Sequence, residues 1–229
     1  MNHKQWDILF EDAEILVCTK PHGIPVQSRS VRTRDMESML KTYLYQQSSS
    51  KTSGVRNREP YLAVIHRLDQ PVSGILVFAK TKKSAGKLHA QLTSAGFEKY
   101  YRALTDGAPA SPEGILEDYL LRDGRTNTSA VCEKNTPGAK LARLQYETSA
   151  VPFFTDRKPE QTELTIRLLT GRHHQIRVQL AHMGCPIAGD QKYNPSPNGE
   201  NVLKLCACRL SFLHPVTGKK LDFRLEQDL

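Results

Sequence analysis

A carboxylate and a guanidinium lie close together in the segment HRLDQPVSG, residues 66–74, which separates two apolar, strand-like runs. The segment carries the polar side chains of His66, Arg67, Asp69 and Gln70. A carboxylate presented from such a loop has two chemical uses, as a nucleophile or as a base that removes a proton. Aspartate is also a common turn residue, because its side chain bonds nearby backbone groups.

Two later segments add further groups with chemical uses, FEKYYRALTDG at 97–107 and LLTGRHHQIRVQLAHMGCPIAGDQKY at 168–193. Tyr101 offers a ring face to a flat ligand, although a strand tyrosine also packs in cores. Arg177 offers a bidentate partner to a carboxylate, although an arginine on a helix is also typical of a solvated face.

Taken in this order, the three segments resemble the motifs of the RluA-type pseudouridine synthases, which isomerise uridine in RNA. The first motif of that family reads approximately HRLDxxTSG, and its third approximately TGRxHQLRVHxxxxGxPIxGDxxY. The segments KPHGIPV at 20–26 and HP at 214–215 also match. The resemblance runs from about residue 8 to about residue 225, which is nearly the whole chain.

The resemblance implies the pseudouridine synthase fold and a set of site residues. The family's catalytic aspartate matches Asp69, its active-site tyrosine matches Tyr101, and its basic residue after HQ matches Arg177. We further expect four basic residues to contact RNA, namely Arg67, Lys99, Arg102 and Arg172.

Two positions depart from the family pattern. The Thr-Ser of the first motif is Val72-Ser73, a change that we expect to affect turn packing rather than chemistry. The histidine that often follows the RV of the third motif is Gln179, which we expect to alter local hydrogen bonding. Many relatives also carry an N-terminal S4 domain that binds RNA, and the motifs begin too early here for one. We therefore expect a single catalytic domain over residues 1–229.

Pseudouridine formation breaks the C1′–N1 bond, turns the uracil and rejoins it through C5, without a change of redox state. It needs no cofactor or metal, and none is expected here. Asp69 could attack the sugar as a nucleophile or remove a sugar proton and leave a glycal, and the sequence leaves both routes open. We expect Arg177 to keep Asp69 ionised, since a nearby guanidinium lowers an aspartate pKa by about 1–3 units. Tyr101 would stack on the uracil or help to move a proton at C5.

The elements that must position these groups are mostly strands. Alternating and apolar runs predict strands within 6–19, at 61–65 and 75–80, and in several later segments. Helical spacing predicts helices over 35–47, 82–95 and 171–184, with Asp35 and Thr81 as caps of the first two. Residues 106–140 read as long loops or a β-ribbon. The polar stretch 48–60 predicts a flexible surface loop. This order favours an α+β fold with a largely antiparallel, mixed sheet and a few helices.

The composition of the chain limits the classes of partner that we expect. The 229 residues carry a net charge of +8, which favours a polyanion such as ribosomal or transfer RNA. No apolar run is long enough for a bilayer and the N-terminus lacks an apolar signal, so we expect a cytoplasmic protein with no membrane partner. The five cysteines and the eight histidines fit no zinc or HExxH template. We expect a monomer that acts as an RNA pseudouridine synthase. The alternative is a non-catalytic RNA-binding or ribosome-assembly protein that kept the fold.

Overall fold

A computed structural model describes residues 6–30, 32–49, 59–94, 96–194 and 201–229. The strands in these ranges are β1 Ile8–Glu11, β2 Ile15–Lys20, β3 Ala63–Val64, β4 Ser73–Ala79, β5 Glu98–Asp106, β6 Glu113–Asp123, β7 Thr128–Cys132, β8 Lys140–Thr148, β9 Gln161–Leu168, β10 Leu205–Leu213 and β11 Lys220–Arg224. The helices in them are α1 Met36–Ser49, α2 Lys82–Leu92 and α3 Gln175–His182. The predicted α+β class with a largely antiparallel sheet is confirmed.

The chain falls into two compact units, and each takes residues from distant parts of the sequence. The first unit holds residues 1–97, 210–224 and 229, and the second holds 98–209 and 225–228. The single catalytic domain expected over 1–229 stays a prediction beside this division.

In the first unit, β2 pairs antiparallel with both β1 and β4, and β3 also pairs with β4. Every residue of β2 and β4 is buried, so both strands are covered on both faces. The two predicted helix caps are confirmed here. Asp35 accepts a hydrogen bond from the backbone N–H of Ser38 at 2.8 Å, and Thr81 accepts one from that of Ser84 at 3.1 Å.

In the second unit, five strands form an antiparallel sheet in the order β5-β9-β8-β6-β7. The segment 106–140, left open between loops and a ribbon, is largely the ribbon of β6 and β7. Buried and exposed residues alternate along β8, so one face of the sheet turns toward a core. Helix α3 packs there, with Val178 against Leu120 and Ala142.

Two expectations need comment. The helix predicted over 171–184 begins only at Gln175, because His174 adopts a left-handed conformation with φ of 53° that does not continue into an α-helix. Of the predicted loop 48–60, residues 50–58 lie outside the described residues and residues 48–49 belong to α1. Within the described part of the chain, no helix combines the length and hydrophobicity that crossing a bilayer requires.

Candidate active site

Asp69 lies in a tight turn that leads directly into β4. Its backbone carbonyl accepts a hydrogen bond from the N–H of Val72 at 3.0 Å, and the buried side chains of Leu68 and Val72 flank the turn. The residue itself is half-buried, so the core holds the turn while part of Asp69 stays accessible.

A buried lysine holds this turn from the side of β2. Lys20 has no exposed surface, and its ammonium donates to the carbonyl oxygens of Pro21, Ile24 and Gln70 at 3.0, 2.7 and 3.0 Å. Gly23 forms two hydrogen bonds with Gln70, both at 3.0 Å. The N–H of Gly23 donates to the Gln70 carbonyl, and the Gly23 carbonyl accepts from the side-chain amide of Gln70. The segment KPHGIPV therefore fixes the residue that follows Asp69. Sequence reasoning assigned no role to this lysine, although a charged residue between an apolar strand and a Pro-Gly loop was the available signal.

Arg67 and His66 lie on the same loop in different surroundings. The exposed guanidinium of Arg67 donates to the side-chain oxygen of Gln27 at 2.6 Å. The imidazole of His66 packs edge-on against Phe97 with ring centroids 5.5 Å apart, and its Nε2 accepts from the N–H of Val77 at 3.4 Å. His66 thus contacts the core while Arg67 faces outward.

Tyr101 lies on β5 in the second unit, opposite Ile166 of β9, and is 6% exposed. Side chains alternate along a strand, so Lys99 shares the face of Tyr101, whereas Tyr100 and Arg102 take the opposite face. A shift of β5 by one residue would therefore exchange Tyr100 and Tyr101 between the two faces of the sheet.

Lys99 is half-buried and, among the described residues, no acceptor lies within hydrogen-bonding or ion-pair distance of its ammonium. Burial lowers the pKa of Lys99 below its ordinary value. A Cβ added to Gly171 would lie 3.3 Å from its Nζ, so the glycine lets the ammonium lie close to the backbone just before Arg172.

Arg102 is committed to protein acceptors. Its guanidinium bonds the buried carboxylate of Glu163 and the carbonyl of Val151, and lies 5.5 Å from the ring centroid of Phe153. Glu163 also accepts from the backbone N–H groups of Phe153 and Phe154 at 3.0 and 3.4 Å. These contacts hold the segment after β8, and the role of Arg102 in RNA contact stays a prediction.

Arg177 is 4% exposed and forms a bidentate ion pair with Asp190, which is 1% exposed. The Nε and Nη2 atoms donate to the two carboxylate oxygens at 2.8 and 2.6 Å, and the guanidinium lies 5.1 Å from the ring centroid of Tyr193. The pairing of Arg177 with Asp69 stays a prediction. Asp190 was missed by the sequence reasoning, although it is the aspartate of the PIAGD segment that matches the family's third motif.

The backbone around Asp190 explains its glycine neighbour. Gly189 has φ of 74°, and a Cβ there would come within 2.0 Å of the carbonyl oxygen of Val202. Only glycine fits this position, because the conformation is left-handed and the neighbouring backbone leaves no room. The turn continues with bonds from the N–H groups of Lys192 and Tyr193 to the Asp190 carboxylate, at 2.9 and 3.2 Å.

A chain of amides holds the loop that carries Arg172. The Gln175 side chain accepts from Thr170 and from the Arg172 N–H at 2.8 and 2.9 Å, and donates to the Arg143 carbonyl at 3.0 Å. Gln179, the departure from the family histidine, donates to Asp118 at 2.7 Å and accepts from Gln175 at 3.0 Å. The exposed Arg172 is itself anchored by its Nε on the carbonyl of Leu141 at 2.8 Å.

The predicted site residues therefore divide between the two units. Asp69 and Arg67 belong to the first, and the other five belong to the second. Among the residues that the structure describes, no three histidine, cysteine, aspartate or glutamate side chains form a group able to hold a metal ion. That the seven predicted site residues form one site stays a prediction.

Comparisons with known proteins agree on one protein family. A model of the family described as RNA pseudouridylate synthase matches residues 14–182. Ribosomal large subunit pseudouridine synthase D of Zymomonas mobilis is 31% identical over 230 residues, which cover 96% of this chain and 68% of that protein. The dual-specificity RNA pseudouridine synthase RluA of Salmonella typhi is 30% identical over 227 residues, covering 96% of this chain and 93% of that protein.

Two more comparisons bear on length and fold. The chain spans between 64% and 68% of the length of the first four relatives that it matches. The solved structure of human RNA pseudouridylate synthase domain containing 4 aligns with a TM-score of 0.72 at 22% identity, covering 95% of this chain and 87% of that one. The fold is thus shared with a pseudouridylate synthase domain, and the chain itself belongs to the RNA pseudouridylate synthase family, as the RluA-type resemblance of its motifs predicts.

Proposed function

We propose that this protein converts uridine to pseudouridine in RNA with Asp69 as the catalytic carboxylate. The observation that supports this most directly is the turn at Asp69, half-buried and fixed by Lys20 and Val72 on either side. A reacting group needs such a fixed position, because a misplacement of about 1 Å can cost on the order of 100-fold in rate.

The reaction is an isomerisation, so its atoms balance within the substrate. The C1′–N1 bond breaks, the uracil turns, a C5–C1′ bond forms, and the proton lost from C5 is matched by one gained at N1. Asp69 acts either by forming an ester at C1′ that C5 then displaces, or by removing a sugar proton to leave a glycal. Both routes use the same carboxylate.

Tyr101 and Arg177 complete the proposed site from the second unit. Tyr101 would meet the uracil with its ring, consistent with a position on the same strand face as Lys99. Arg177 would supply a fixed positive charge that favours the ionised form of Asp69. Its bidentate bond to Asp190 supports this, because the carboxylate orients the guanidinium and locks its rotamer.

RNA contact is assigned to the accessible cations. The exposed Arg67 and Arg172 and the half-buried Lys99 are candidates for phosphate or sugar contacts, and Arg102 contributes from its pair with Glu163. Large-subunit ribosomal RNA is the first substrate to test, because relatives are named for it, and transfer RNA is the second. A cytoplasmic monomer that works without a cofactor is part of the same proposal.

The test is the variant Asp69→Asn, which keeps the size of the side chain and removes its charge. We expect it to abolish pseudouridine formation in a large-subunit ribosomal RNA transcript while RNA affinity stays within about twofold of wild type. Asp7→Asn, at an exposed aspartate near the start of the first unit, is the matched control and should keep full activity. An active Asp69→Asn protein would refute the catalytic assignment, and a wild-type protein that binds RNA without modifying it would favour the non-catalytic alternative.

A further inference from the structure

A rigid cluster in the second unit joins the β6–β7 turn to the start of α3. We call it the turn surface and define it by Arg122, Arg125, Asn127, His173 and Lys192. Asn127 is its centre, since its carbonyl accepts from the Lys192 ammonium at 2.7 Å and its side-chain oxygen lies 3.2 Å from the Nε2 of His173.

Four more contacts hold this cluster to the fold. The Nδ1 of His173 lies 2.9 Å from the hydroxyl of Ser129, and the N–H of Ser129 donates to the Tyr193 hydroxyl at 2.8 Å. The same hydroxyl lies 2.7 Å from the Nδ1 of His174, whose ring stacks on that of His173 with centroids 3.8 Å apart. The hairpin turn is thus fastened to the turn that also carries Asp190.

The charges that this rigid cluster displays are almost all positive. Arg122 and Lys192 are exposed, and among the described residues no carboxylate lies within ion-pair distance of either. Arg125 is also exposed, and its closest approach to the Asp123 carboxylate is 3.9 Å. Asp123 is the acidic side chain on this turn, and it also accepts from the backbone N–H of Arg125 at 2.8 Å.

The pKa values of His173 and His174 reflect the same positive charges. Burial, followed by the nearby cations Arg122, Lys192 and Arg177, lowers the pKa of His173 to about 4. Burial and Arg177 likewise lower the pKa of His174 to about 3. Both rings are therefore neutral at physiological pH, and the positive charge of the surface resides on guanidinium and ammonium groups that can pair with phosphate.

We propose that the turn surface binds the phosphodiester backbone of the RNA substrate, outside the nucleotide that reacts, through Arg122 and Lys192. This rests on the proposed function for the identity of the RNA. The cluster is fastened before binding, so little conformational entropy is lost when the RNA docks. None of the five residues of the turn surface is a fixed letter of the family motifs quoted above, so the surface would help this chain to choose among RNAs.

The experiment measures binding of an in vitro transcript of large-subunit ribosomal RNA over a range of salt concentrations. We expect Arg122→Gln and Lys192→Gln each to weaken binding about tenfold near 0.1 M salt and to reduce the salt slope by about one, as loss of one phosphate contact requires. Lys83→Gln, at an exposed lysine of α2 in the first unit, is the control and should bind as wild type does.

A second measurement follows the His173 imidazole by NMR. A phosphate that docks beside Arg122 and Lys192 offsets their charge, so the pKa of His173 should rise when the transcript binds. Wild-type affinity and salt slope in the Arg122→Gln/Lys192→Gln double variant, or an unmoved His173, would overturn the proposal. A wild-type protein that forms no pseudouridine would instead overturn the proposed function, and the binding comparison would still decide the surface.

Discussion

The ammonium nitrogen of Lys20 lies 3.0 Å from the carbonyl oxygen of Gln70, so a fully buried cation fixes the residue next to Asp69. Lys20 also bonds two carbonyls of its own loop, and its position thereby couples the end of β2 to the turn before β4. The turn that carries Asp69 thus depends on a residue whose side chain never reaches solvent.

The first prediction concerns Lys20→Met, which keeps the length of the side chain and removes its donors. Each buried carbonyl left without a donor costs about 1–3 kcal/mol, so urea unfolding should show a clear loss of stability. The turnover number for pseudouridine formation should fall by up to about 100-fold as the turn loosens, with a smaller change in KM. Lys83→Met is the surface control, and wild-type turnover in Lys20→Met would show that the clamp does not position Asp69.

The second prediction concerns the buried pair of Arg177 and Asp190. Asp190→Asn should lower the free energy of unfolding by about 3–5 kcal/mol, because it leaves a buried guanidinium without its charged partner. The double variant Arg177→Gln/Asp190→Asn should lose much less than the sum of the two single variants. Urea denaturation of the four proteins checks this, and simple additivity would contradict a coupled pair.

The third prediction uses the lowered pKa of Lys99. The unfolded chain binds this proton more tightly than the folded protein, so the group costs stability below the folded pKa. Lys99→Met should therefore be more stable than wild type at pH 7. The advantage should shrink as pH rises through the folded pKa of Lys99 toward its ordinary value. Unfolding measured from pH 7 to pH 10 checks the sign, and weaker RNA binding by the same variant would support a phosphate contact.

The fourth prediction concerns acid. The pKa values of His173 and His174 are lowered to about 4 and about 3, so the unfolded chain takes up protons first as pH falls below about 6.5. Stability should fall between pH 6.5 and pH 4. The double variant His173→Asn/His174→Asn should show a flatter decline over that range, whatever its stability at pH 7. His89→Asn, at an exposed histidine of α2, is the control, and an unchanged decline in the double variant would refute the assignment.

Features encoded by adjacent residues were predictable from the sequence, and those that depend on distant partners were not. The caps at Asp35 and Thr81 were correct because each bonds a residue three positions ahead. The start of α3 was wrong because His174 adopts a left-handed conformation in a segment tied to Arg143, whose carbonyl accepts from the N–H of Thr170, 27 residues away. Helical spacing carries no trace of such a bond.

The site residues show the same division. Asp69, Tyr101 and Arg177 were predicted as site residues because the family motifs mark them, whereas the contacts of the Asp69 turn with Lys20 and of Arg177 with Asp190 were not predicted. Asp190 lies 13 residues from Arg177, and the Lys20 ammonium reaches a carbonyl 50 residues away. A pattern of residue types marks the candidate reacting groups better than their supports, because a support is recognised only once folding brings it next to a partner that is distant in sequence.

The two adjacent tyrosines of β5 make the position of Tyr101 depend on strand alignment. A slip by one position against β9 would carry Tyr100 to the side that Tyr101 occupies and would turn Arg102 away from Glu163. Such a slip would leave the buried carboxylate of Glu163 without its guanidinium partner, which would destabilise the misaligned chain. The Arg102–Glu163 pair therefore favours the native register of β5, and with it the face of the strand on which Tyr101 lies.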